Sequence, residues 1–337
     1  MPLPALRPQQ AALGHLRRRR IVGASLVAMT SRVAVAQAPW PDRPVRMLVG
    51  FPAGGAGDLI ARAIAPALSA TFGRPFVVEN RPGAGGAIAA QAVAQSTDGH
   101  TLGAVLGGPT TTARALNPAL AYDPTRDFTA ISQIFRTGFV IAVHPALPVT
   151  DLGGFIAHAR ANPGRLSYGS IGPGTVTHLA MEELKARHGL DIEHVTYRGF
   201  GQMTLDLAAG RIQVCFDTFA ESLAFAQDGR IRALAVTTEV RNRLLPDVPT
   251  VAEAGEPGAE CFGWTGVVAP AGFPAERARA IADAIRQAIA VPEGRANLDM
   301  QGIEFVGSTP EEFAALQARE AARWIAVIQR LGLRAAG

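Results

Sequence analysis

The feature that most constrains the fold of this chain is a repeated alternation of short apolar segments with helical stretches. Stretches such as 58–72 and 177–189 place their apolar residues at helical spacing, and they lie between segments with the apolar composition of strands. This alternation predicts an α/β fold in which crossover helices connect parallel strands. The strand candidates are VRMLVGF (45–51), PFVVEN (75–80), TLGAVLG (101–107), FVIAVHP (139–145), RLSYGS (165–170), HVTYRG (194–199), IQVCFDT (212–218), IRALAVTT (231–238) and CFGWTGVVAP (261–270).

The sequence near the C-terminus predicts two further helices with a short strand between them. The helical stretches are 274–290 and 309–332, and GIEFVG at 302–307 is the strand candidate. Thr309 is followed three positions later by Glu312, a pattern typical of a helix N-cap with a capping box. We therefore expect the last helix to begin directly after Thr309.

The first 36 residues have the features of an export signal. The arginine run 17–20 precedes the apolar stretch 21–29, and the small residues AVA end at Ala36. The apolar stretch is too short to span a bilayer core of about 30 Å. We expect a signal peptide at 1–36, cleaved after Ala36 or alternatively after Ala38, and a periplasmic mature protein. The general secretory and twin-arginine routes both remain open.

Removal of this leader changes the charge of the chain. The leader holds six of the 32 basic residues and no acidic residue, so the remainder carries 26 basic against 28 acidic residues and a net charge of −2 instead of +4. A nucleic-acid partner is therefore not expected, because a phosphate-backbone binder needs a basic surface.

About 300 mature residues exceed what a single core of ordinary size covers, so two domains are expected. Cys215 and Cys261 are the two cysteines, and both lie in apolar, strand-like contexts. One disulfide and two buried free thiols both remain possible in an oxidising compartment.

The segment 45–68 runs from a strand candidate through a glycine-rich turn into a helix. Gly54, Gly55 and Gly57 allow a ligand to approach the backbone, and the first turn of the helix presents unpaired N–H groups at its positive end. The segment matches neither the dinucleotide motif GxGxxG nor a P-loop. The remaining candidate is a small carboxylate; the alternative is a tight turn with no ligand.

A second segment, 165–186, repeats this order of strand, glycine-rich turn and helix. The turn contains Ser170, Gly172, Gly174 and Thr175, and the following helix carries His178. If the two loops belong to different lobes, a ligand between them is held from both sides. For His178 the alternative is a partly buried helix residue that bonds a nearby carbonyl group.

Motifs for an enzyme are absent from the sequence. The nearest approach to the nucleophile motif GxSxG is YGSIG, where Tyr168 replaces the first glycine. The seven histidines form no HExxH motif and no Cys/His set at zinc spacing. We therefore expect no catalytic residue, no metal and no cofactor.

The chain resembles the tripartite tricarboxylate transporter receptor family, the extracytoplasmic solute receptors also called Bug proteins. The resemblance covers essentially the whole mature chain, from Trp40 to about Leu333. It implies a type II periplasmic binding protein fold, in which two α/β lobes close on a small organic anion. The motifs that carry it are FPAGGAGDLIARAIAPAL, VVENRPGAGGAIAA, DGHTL, NPAL, YDPTRDF, GSIGPGTVTHLA, AGRIQVCFD, GRIRALAVTT, RLLPDVPTVAEAG and TPEEFAA.

The resemblance also implies a lobe division and partners. Residues 39–138 with 264–337 would form the first lobe, and 139–263 the second. The implied ligand is a small organic carboxylate, which the receptor, expected as a monomer, delivers to the membrane components of a tripartite tricarboxylate-type transporter. A periplasmic sensor that acts with a membrane signalling protein would have the same soluble receptor, so this alternative stays open.

Ligand contacts are implied at three loops and one strand end. In relatives, the loop matching FPAGGAGD binds one ligand carboxylate through backbone N–H groups and ordered water, and Asp217 matches a residue that faces the variable end of the ligand. A strand-terminal cap is the alternative role for Asp217. The implied ligand-binding residues are Phe51, Pro52, Ala53, Gly54, Gly55, Asp58, Gly108, Thr110, Ser170, Gly172, Gly174, Thr175, His178 and Asp217.

The sequence departs from the family pattern at two places. In YRGFGQM, Phe200 and Gln202 add bulk and an amide to a turn that is expected to face the pocket. In GGPTTTA, Pro109 removes one backbone donor. The ligand is therefore expected to differ from simple dicarboxylates.

Overall fold

The computed structural model describes residues 40–290 and 302–334 of the 337-residue chain. The predicted signal peptide at 1–36 lies outside the described residues. The described chain forms two lobes, each built on one β-sheet covered by helices, so the predicted two-lobed α/β fold is confirmed. None of the helices within the described ranges combines the length and the apolar character needed to cross a membrane.

The first lobe contains a six-stranded sheet and the second a five-stranded sheet. Across the first sheet the strands are β11 (Ile303–Phe305), β4 (Phe128–Thr137), β10 (Gly263–Pro270), β3 (Thr101–Leu106), β1 (Val45–Val49) and β2 (Phe76–Asn80). Across the second they are β7 (Ile192–Thr196), β6 (Leu166–Ser170), β8 (Val214–Thr218), β5 (Phe139–Val143) and β9 (Arg232–Val236).

Helices follow most of the strands, as the alternation in the sequence predicts. The described helices are α1 (Ala56–Phe72), α2 (Ala87–Ala94), α3 (Gly107–Thr111), α4 (Ala113–Leu116), α5 (Leu152–Ala161), α6 (Val176–His188), α7 (Phe200–Ala208), α8 (Phe219–Gln227), α9 (Ala275–Ile289) and α10 (Pro310–Leu331), with a short 3₁₀ turn at Ala84–Gly86.

The prediction of parallel sheets is correct for only part of each sheet. Strand β1 runs parallel to β2 and β3, and β6 runs parallel to β7 and β8. Strands β4, β5 and β10 pair antiparallel with their neighbours. Consecutive parallel strands must be joined by a long crossover connection. A strand that enters the sheet from the other lobe does not need such a connection and can run antiparallel to its neighbours.

The chain passes between the sheets at two places. Strand β4 ends at Thr137 and β5 begins at Phe139, so only Gly138 separates two strands of different sheets. The second passage lies between the end of β9 at Val236 and the start of β10 at Gly263. These passages lie near the predicted boundaries at 138 and 263, and the lobe division itself stays a prediction.

The C-terminal helix α10 contacts the cores of both lobes. Near its start, Phe313 packs edge-to-face on Trp264 of β10 with ring centroids 5.3 Å apart. Near its end, Trp324 and Ile328 belong to the same buried cluster as Phe216 of the second sheet. The predicted assignment of 264–337 to the first lobe therefore does not describe all the packing of this helix.

Thr309 caps α10, because its Oγ1 accepts from the N–H of Glu312 while the Glu312 carboxylate accepts from the N–H of Thr309. The predicted capping box is confirmed. Cys215 and Cys261 are both buried free thiols, so the structure contains the second of the two alternatives.

Candidate ligand-binding site

A cleft of about 640 Å³ lies between the two lobes, within the range of about 300 to 1,000 Å³ that is usual for small-molecule sites. Four helices of nine or more residues, α1, α6, α7 and α8, begin at this cleft, and the short α3 begins there too. Each follows directly or closely after a strand, so the cleft lies at the carboxyl ends of the strands, where α/β sheets bind ligands. The converging N-termini favour an anion.

The loop 51–57 forms one wall of the cleft with both backbone and side chains. Phe51, Pro52, Ala53, Gly54 and Gly55 all line it, as predicted from the sequence. The N-cap residue Gly55 has φ −72°, which any amino acid can adopt, and a Cβ there would meet only the Pro52 carbonyl oxygen at 3.6 Å. The space in front of Gly55 is therefore available to a ligand.

Asp58 lies behind this loop and does not line the cleft. Its carboxylate accepts hydrogen bonds from Gly54 N (2.9 Å), Asn80 Nδ2 (2.9 Å) and Arg62 Nε (3.0 Å). Burial alone would raise the pKa of Asp58, but these bonds outweigh burial and hold the pKa below its usual value. The N–H of Gly54 is thus engaged within the protein, and the first turn of α1, beginning with Ala56 and Gly57, offers the open donors.

The loop at the start of α3 places one predicted residue in the cleft and one behind it. Gly108 lines the cleft, together with Gly107. Thr110 is buried and donates its hydroxyl to the carbonyl groups of Leu106 and Gly107, both at 3.3 Å. Thr110 therefore fixes the turn.

The second glycine-rich loop, 170–178, is mostly enclosed by protein. Gly172 N donates to Ser170 Oγ at 3.2 Å, and Gly174 N donates to His178 Nδ1 at 3.3 Å. A Cβ on Gly172 would stand 2.9 Å from Gly85 Cα of the other lobe. Only Thr175 among the predicted residues of this loop lines the cleft.

Two histidine rings support this loop from behind. His178 and His194 lie with ring centroids 4.6 Å apart, and His194 Nε2 is 2.7 Å from Ser170 Oγ. Burial lowers the pKa of His178 to about 4, and burial together with the His178 charge lowers the pKa of His194 to about 4. Both rings are therefore neutral at pH 7, and His178 can accept the hydrogen bond from Gly174.

Asp217 is fully buried at the end of β8. Its carboxylate accepts from Thr204 Oγ1 (2.7 Å), Ser222 Oγ (3.0 Å) and Thr218 N (2.8 Å). Burial raises the pKa of Asp217 to about 7, although these hydrogen bonds oppose the shift. Asp217 thus ties β8 to helices α7 and α8 and does not itself line the cleft.

Aromatic side chains, most of which sequence reasoning missed, form much of the remaining cleft wall. Phe135, Phe139, Phe200 and Trp264 line the cleft, and the rings of Phe139 and Phe200 lie with centroids 6.2 Å apart. Only Phe200 was expected there. The others occupy apolar strand segments, where an aromatic residue normally indicates core.

Trp264 also brings an unpaired donor to this region. It is 3% exposed, and its Nε1 has no hydrogen-bond partner within the described part of the chain. A Cβ on Gly107 would stand 3.2 Å from this nitrogen, so the indole edge faces a turn that lines the cleft. Buried indole N–H groups normally have a partner.

Two charged side chains line the cleft, and both belong to the wall of the second lobe. Arg198 is exposed at the turn after β7, and Glu221 is half-buried in the first turn of α8. The first-lobe wall carries no charged side chain among its described residues. Charge in the cleft is therefore distributed unequally between the lobes.

The structure brings half of the predicted site residues to the cleft surface. Those that line it are Phe51, Pro52, Ala53, Gly54, Gly55, Gly108 and Thr175. Those that lie behind the surface are Asp58, Thr110, Ser170, Gly172, Gly174, His178 and Asp217. The role of each in ligand binding stays a prediction.

Two α/β lobes around a cleft lined by helix N-termini define a two-lobed solute-binding protein. The chain belongs to the tripartite tricarboxylate transporter receptor family: the sequence model described as "Tripartite tricarboxylate transporter family receptor" matches residues 60–333. The chain is also 37% identical over 327 residues to a UPF0065 protein from the tcbD-tcbE intergenic region of Pseudomonas sp. strain P51, covering 96% of this chain and 97% of that relative.

Solved structures agree with this assignment. Rpa4515 from R. palustris, solved with adipate, is 36% identical with a TM-score of 0.81, and the match covers 88% of this chain and 100% of that one. MatC from Rhodopseudomonas palustris with bound malate is 30% identical with a TM-score of 0.80, over 86% of this chain and 99% of that one. The family and fold that the sequence motifs imply are confirmed.

Proposed function

We propose that this chain is a periplasmic receptor that captures a small carboxylate between its lobes and delivers it to the membrane components of a tripartite tricarboxylate-type transporter. The convergence of helix N-termini on a cleft between two lobes carries the proposal. The family membership supports it, and so do the neighbours solved with adipate and malate. In this role the protein binds and releases its ligand unchanged and is not an enzyme.

The ligand carboxylate is bound at the start of α1 in this proposal. The first-turn amides of α1 and the loop 51–55 face the cleft, and Thr175 and Val176 at the start of α6 face it from the second lobe. A helix N-terminus contributes roughly 0.3 to 2 kcal/mol, whereas micromolar affinity requires about −8 kcal/mol. Donors from both lobes are therefore needed, and ligand binding favours the closed arrangement that supplies both sets.

A thermal-shift screen of the mature protein with mono-, di- and tricarboxylates tests the proposal. A carboxylate at a hundred times its Kd should stabilise the protein by about 2.7 kcal/mol, which appears as a raised Tm. Sugars and organic cations serve as controls. Stabilisation by these controls and by no carboxylate would refute the proposal.

Lobe closure needs a separate measurement. Arg74 and Glu193 are exposed on the first and second lobes, and the two native thiols are buried, so Arg74→Cys with Glu193→Cys accepts a pair of spin labels selectively. The label separation should shorten when a carboxylate from the screen is added. Uptake of that carboxylate by vesicles containing the membrane components then tests delivery, and activation of a sensor protein without uptake would instead favour the signalling alternative.

A further inference from the structure

Glu221 is a cleft residue whose acidic group has no partner among the residues that the structure describes. It stands in the first turn of α8, and its oxygens lie 3.8 and 3.9 Å from where a Cβ on Gly201 would stand. Its side chain makes no hydrogen bond or ion pair within 40–290 and 302–334, and burial raises the pKa of this carboxyl above its usual value. A half-buried carboxylate has lost part of its hydration, so a cationic or hydrogen-bond-donating group of a ligand would stabilise it.

The two walls of the cleft differ in one respect, because an acidic side chain lies only on the wall of the second lobe among the described residues. The first lobe lines the cleft with the N-terminus of α1 and with uncharged residues, so it favours an anion. Across the cleft, Glu221 lies close to Asp217, which is fully buried at the end of β8 and accepts three hydrogen bonds of its own. A ligand that spans the cleft therefore meets a donor-rich wall at one end and an acidic group at the other.

Arg198, the other charged residue of the cleft, is placed to assist the anion-binding wall. It is exposed and makes no hydrogen bond or ion pair within the described residues. The adjacent Gly199 packs against the first-lobe loop, where a Cβ would stand 3.9 Å from Pro52 Cδ. Arg198 is thus next in the chain to a contact with the first-lobe loop, and solvent screens its exposed charge more than the charge of the half-buried Glu221.

The space between these two ends is apolar. The ring centroids of Phe139 and Phe200 lie 6.2 Å apart in the wall. Phe135, Leu106 and Trp264 also line the cleft. Such a surface stabilises a ligand body of carbon atoms through the area removed from water. A short, highly hydroxylated acid would leave these walls uncovered.

We propose that the ligand combines a carboxylate at the first-lobe wall, an apolar body between the aromatic side chains, and a cationic or hydrogen-bond-donating group that pairs with Glu221. This inference rests on the proposed function and narrows its substrate class. It also excludes a dicarboxylate as the preferred ligand, because a second carboxylate beside Glu221 places two like charges in a poorly solvated site.

Two matched sets of probes test the inference by calorimetry. The linear set is ε-aminocaproate, caproate and adipate, and the aromatic set is para-(aminomethyl)benzoate, para-toluate and terephthalate. Within each set the carboxylate and body are constant and only the far group changes, from a protonated aminomethyl group to a methyl group to a carboxylate. We expect the ammonium compound to bind most tightly in each set, and the aromatic set to bind more tightly than the linear one.

The variant Glu221→Gln removes the charge and keeps the shape of the side chain. It should reduce the preference for the ammonium compound over the dicarboxylate by about tenfold or more. Glu193→Gln is the matched control, because Glu193 is exposed on β7 of the same lobe, and it should leave the preference unchanged. The circular dichroism spectrum of each variant verifies folding.

The outcomes distinguish a wrong substrate class from a wrong proposed function. If a dicarboxylate binds most tightly to the wild type, or if Glu221→Gln leaves the order unchanged, the substrate class is wrong while the carboxylate receptor stands. If none of the six probes binds but other carboxylates from the wider screen do, the substrate class is again wrong. If no carboxylate binds at all, the proposed function fails and the inference fails with it.

Discussion

The two glycine-rich loops share the order of strand, glycine-rich turn and helix, but they have different structural roles. Loop 51–58 lines the cleft along almost its whole length, and a Cβ on Gly55 would find open space apart from one carbonyl oxygen. In loop 170–178, Gly172 and Gly174 lie against residues of the other lobe, and their N–H groups bond within the loop. One loop keeps its backbone open to a ligand, and the other uses glycine so that two lobes can approach.

A strand followed by glycines and a helix therefore indicates a close approach to the backbone, but it does not indicate whether a ligand or another part of the protein approaches. In the first loop a ligand can do so. In the second, Gly85 stands 2.9 Å from where a Cβ on Gly172 would be, and Thr112 Oγ1 donates to the carbonyl of Gly174 at 3.0 Å. Substitutions can therefore separate the two roles, because one should affect affinity and the other stability.

The largest effect is expected from Gly174→Ala. Gly174 has φ +79°, and a Cβ would lie 2.5 Å from Leu116 Cδ1, so the variant suffers both backbone strain and overpacking. We expect the free energy of unfolding to fall by about 3 kcal/mol in the absence of ligand, measured by urea denaturation. Gly189→Ala is the control, because φ is +62° there with open space, and it should cost only about 1 kcal/mol. Unchanged stability with lost binding would make loop 170–178 a ligand loop.

Gly55→Val should reduce ligand affinity and leave stability nearly unchanged, in contrast to Gly174→Ala. At φ −72° the backbone accepts valine, but the side chain would occupy the space where the carboxylate approaches. We expect a loss of affinity on the order of a hundredfold for the best carboxylate, by calorimetry, with little change in urea denaturation. Gly153→Val is the control, because Gly153 is exposed on α5 away from the cleft and its Cβ would meet only Asp151 Oδ1 at 3.5 Å. Normal binding by Gly55→Val would remove loop 51–58 from the site.

The stability of the protein should also decrease in acid because of His178 in the second loop. The pKa of His178 is about 4 in the folded protein against about 6.5 when unfolded, so the unfolded state takes up the proton first as pH falls. The contribution of His178 to the free energy of unfolding is fully present above pH 6.5 and is lost as the pH falls from 6.5 to 4. This contribution is on the order of 2 kcal/mol. Thermal unfolding of His178→Gln should therefore depend less on pH over that interval than thermal unfolding of the wild type. Equal pH dependence in the two proteins would contradict the neutral, buried imidazole.

The smallest effect is expected at the support of the first loop. Asp58→Asn leaves one carbonyl oxygen for three donors, so we expect a loss of stability of about 1 to 2 kcal/mol, measured by urea denaturation. Arg62→Ala should cost less than about 1 kcal/mol, because the Arg62 side chain is 50% exposed and Asp58 keeps its bonds to Gly54 and Asn80. An Arg62→Ala effect larger than that of Asp58→Asn would show that the ion pair, and not the bond to Gly54, holds the loop.

Much of the fold follows from the sequence because strands and helices are specified locally. The nine strand candidates all correspond to strands, although β7 begins at Ile192, upstream of the predicted start at His194. Strand β4 was missed because the segment FTAISQIFRT shows neither a continuous apolar run nor strict alternation, and because it pairs with two distant strands, β10 and β11. Antiparallel pairing of this kind depends on contacts between segments far apart in the chain, which local periodicity does not report.

The lining of the cleft could be predicted where glycines expose the backbone. Glycines and a following helix indicated loop 51–55, and the departure from the family pattern at Phe200 indicated another residue of the cleft. Phe139 and Trp264 could not be found in this way, because an aromatic residue in an apolar strand is normally core. Glu221 had no signal at all, since an acidic residue in the first turn of a helix is ordinary.

The convergence of helix N-termini has a consequence for how this protein can change over generations. Peptide N–H groups are carried by every amino acid except proline, so substitutions that leave the backbone accessible keep these donors in place. Under the proposed function, a single codon change at a side-chain position such as Glu221 or Phe200 would alter which ligand is preferred while the backbone donors for a carboxylate remain. A lineage with this architecture could then acquire a new nutrient one substitution at a time.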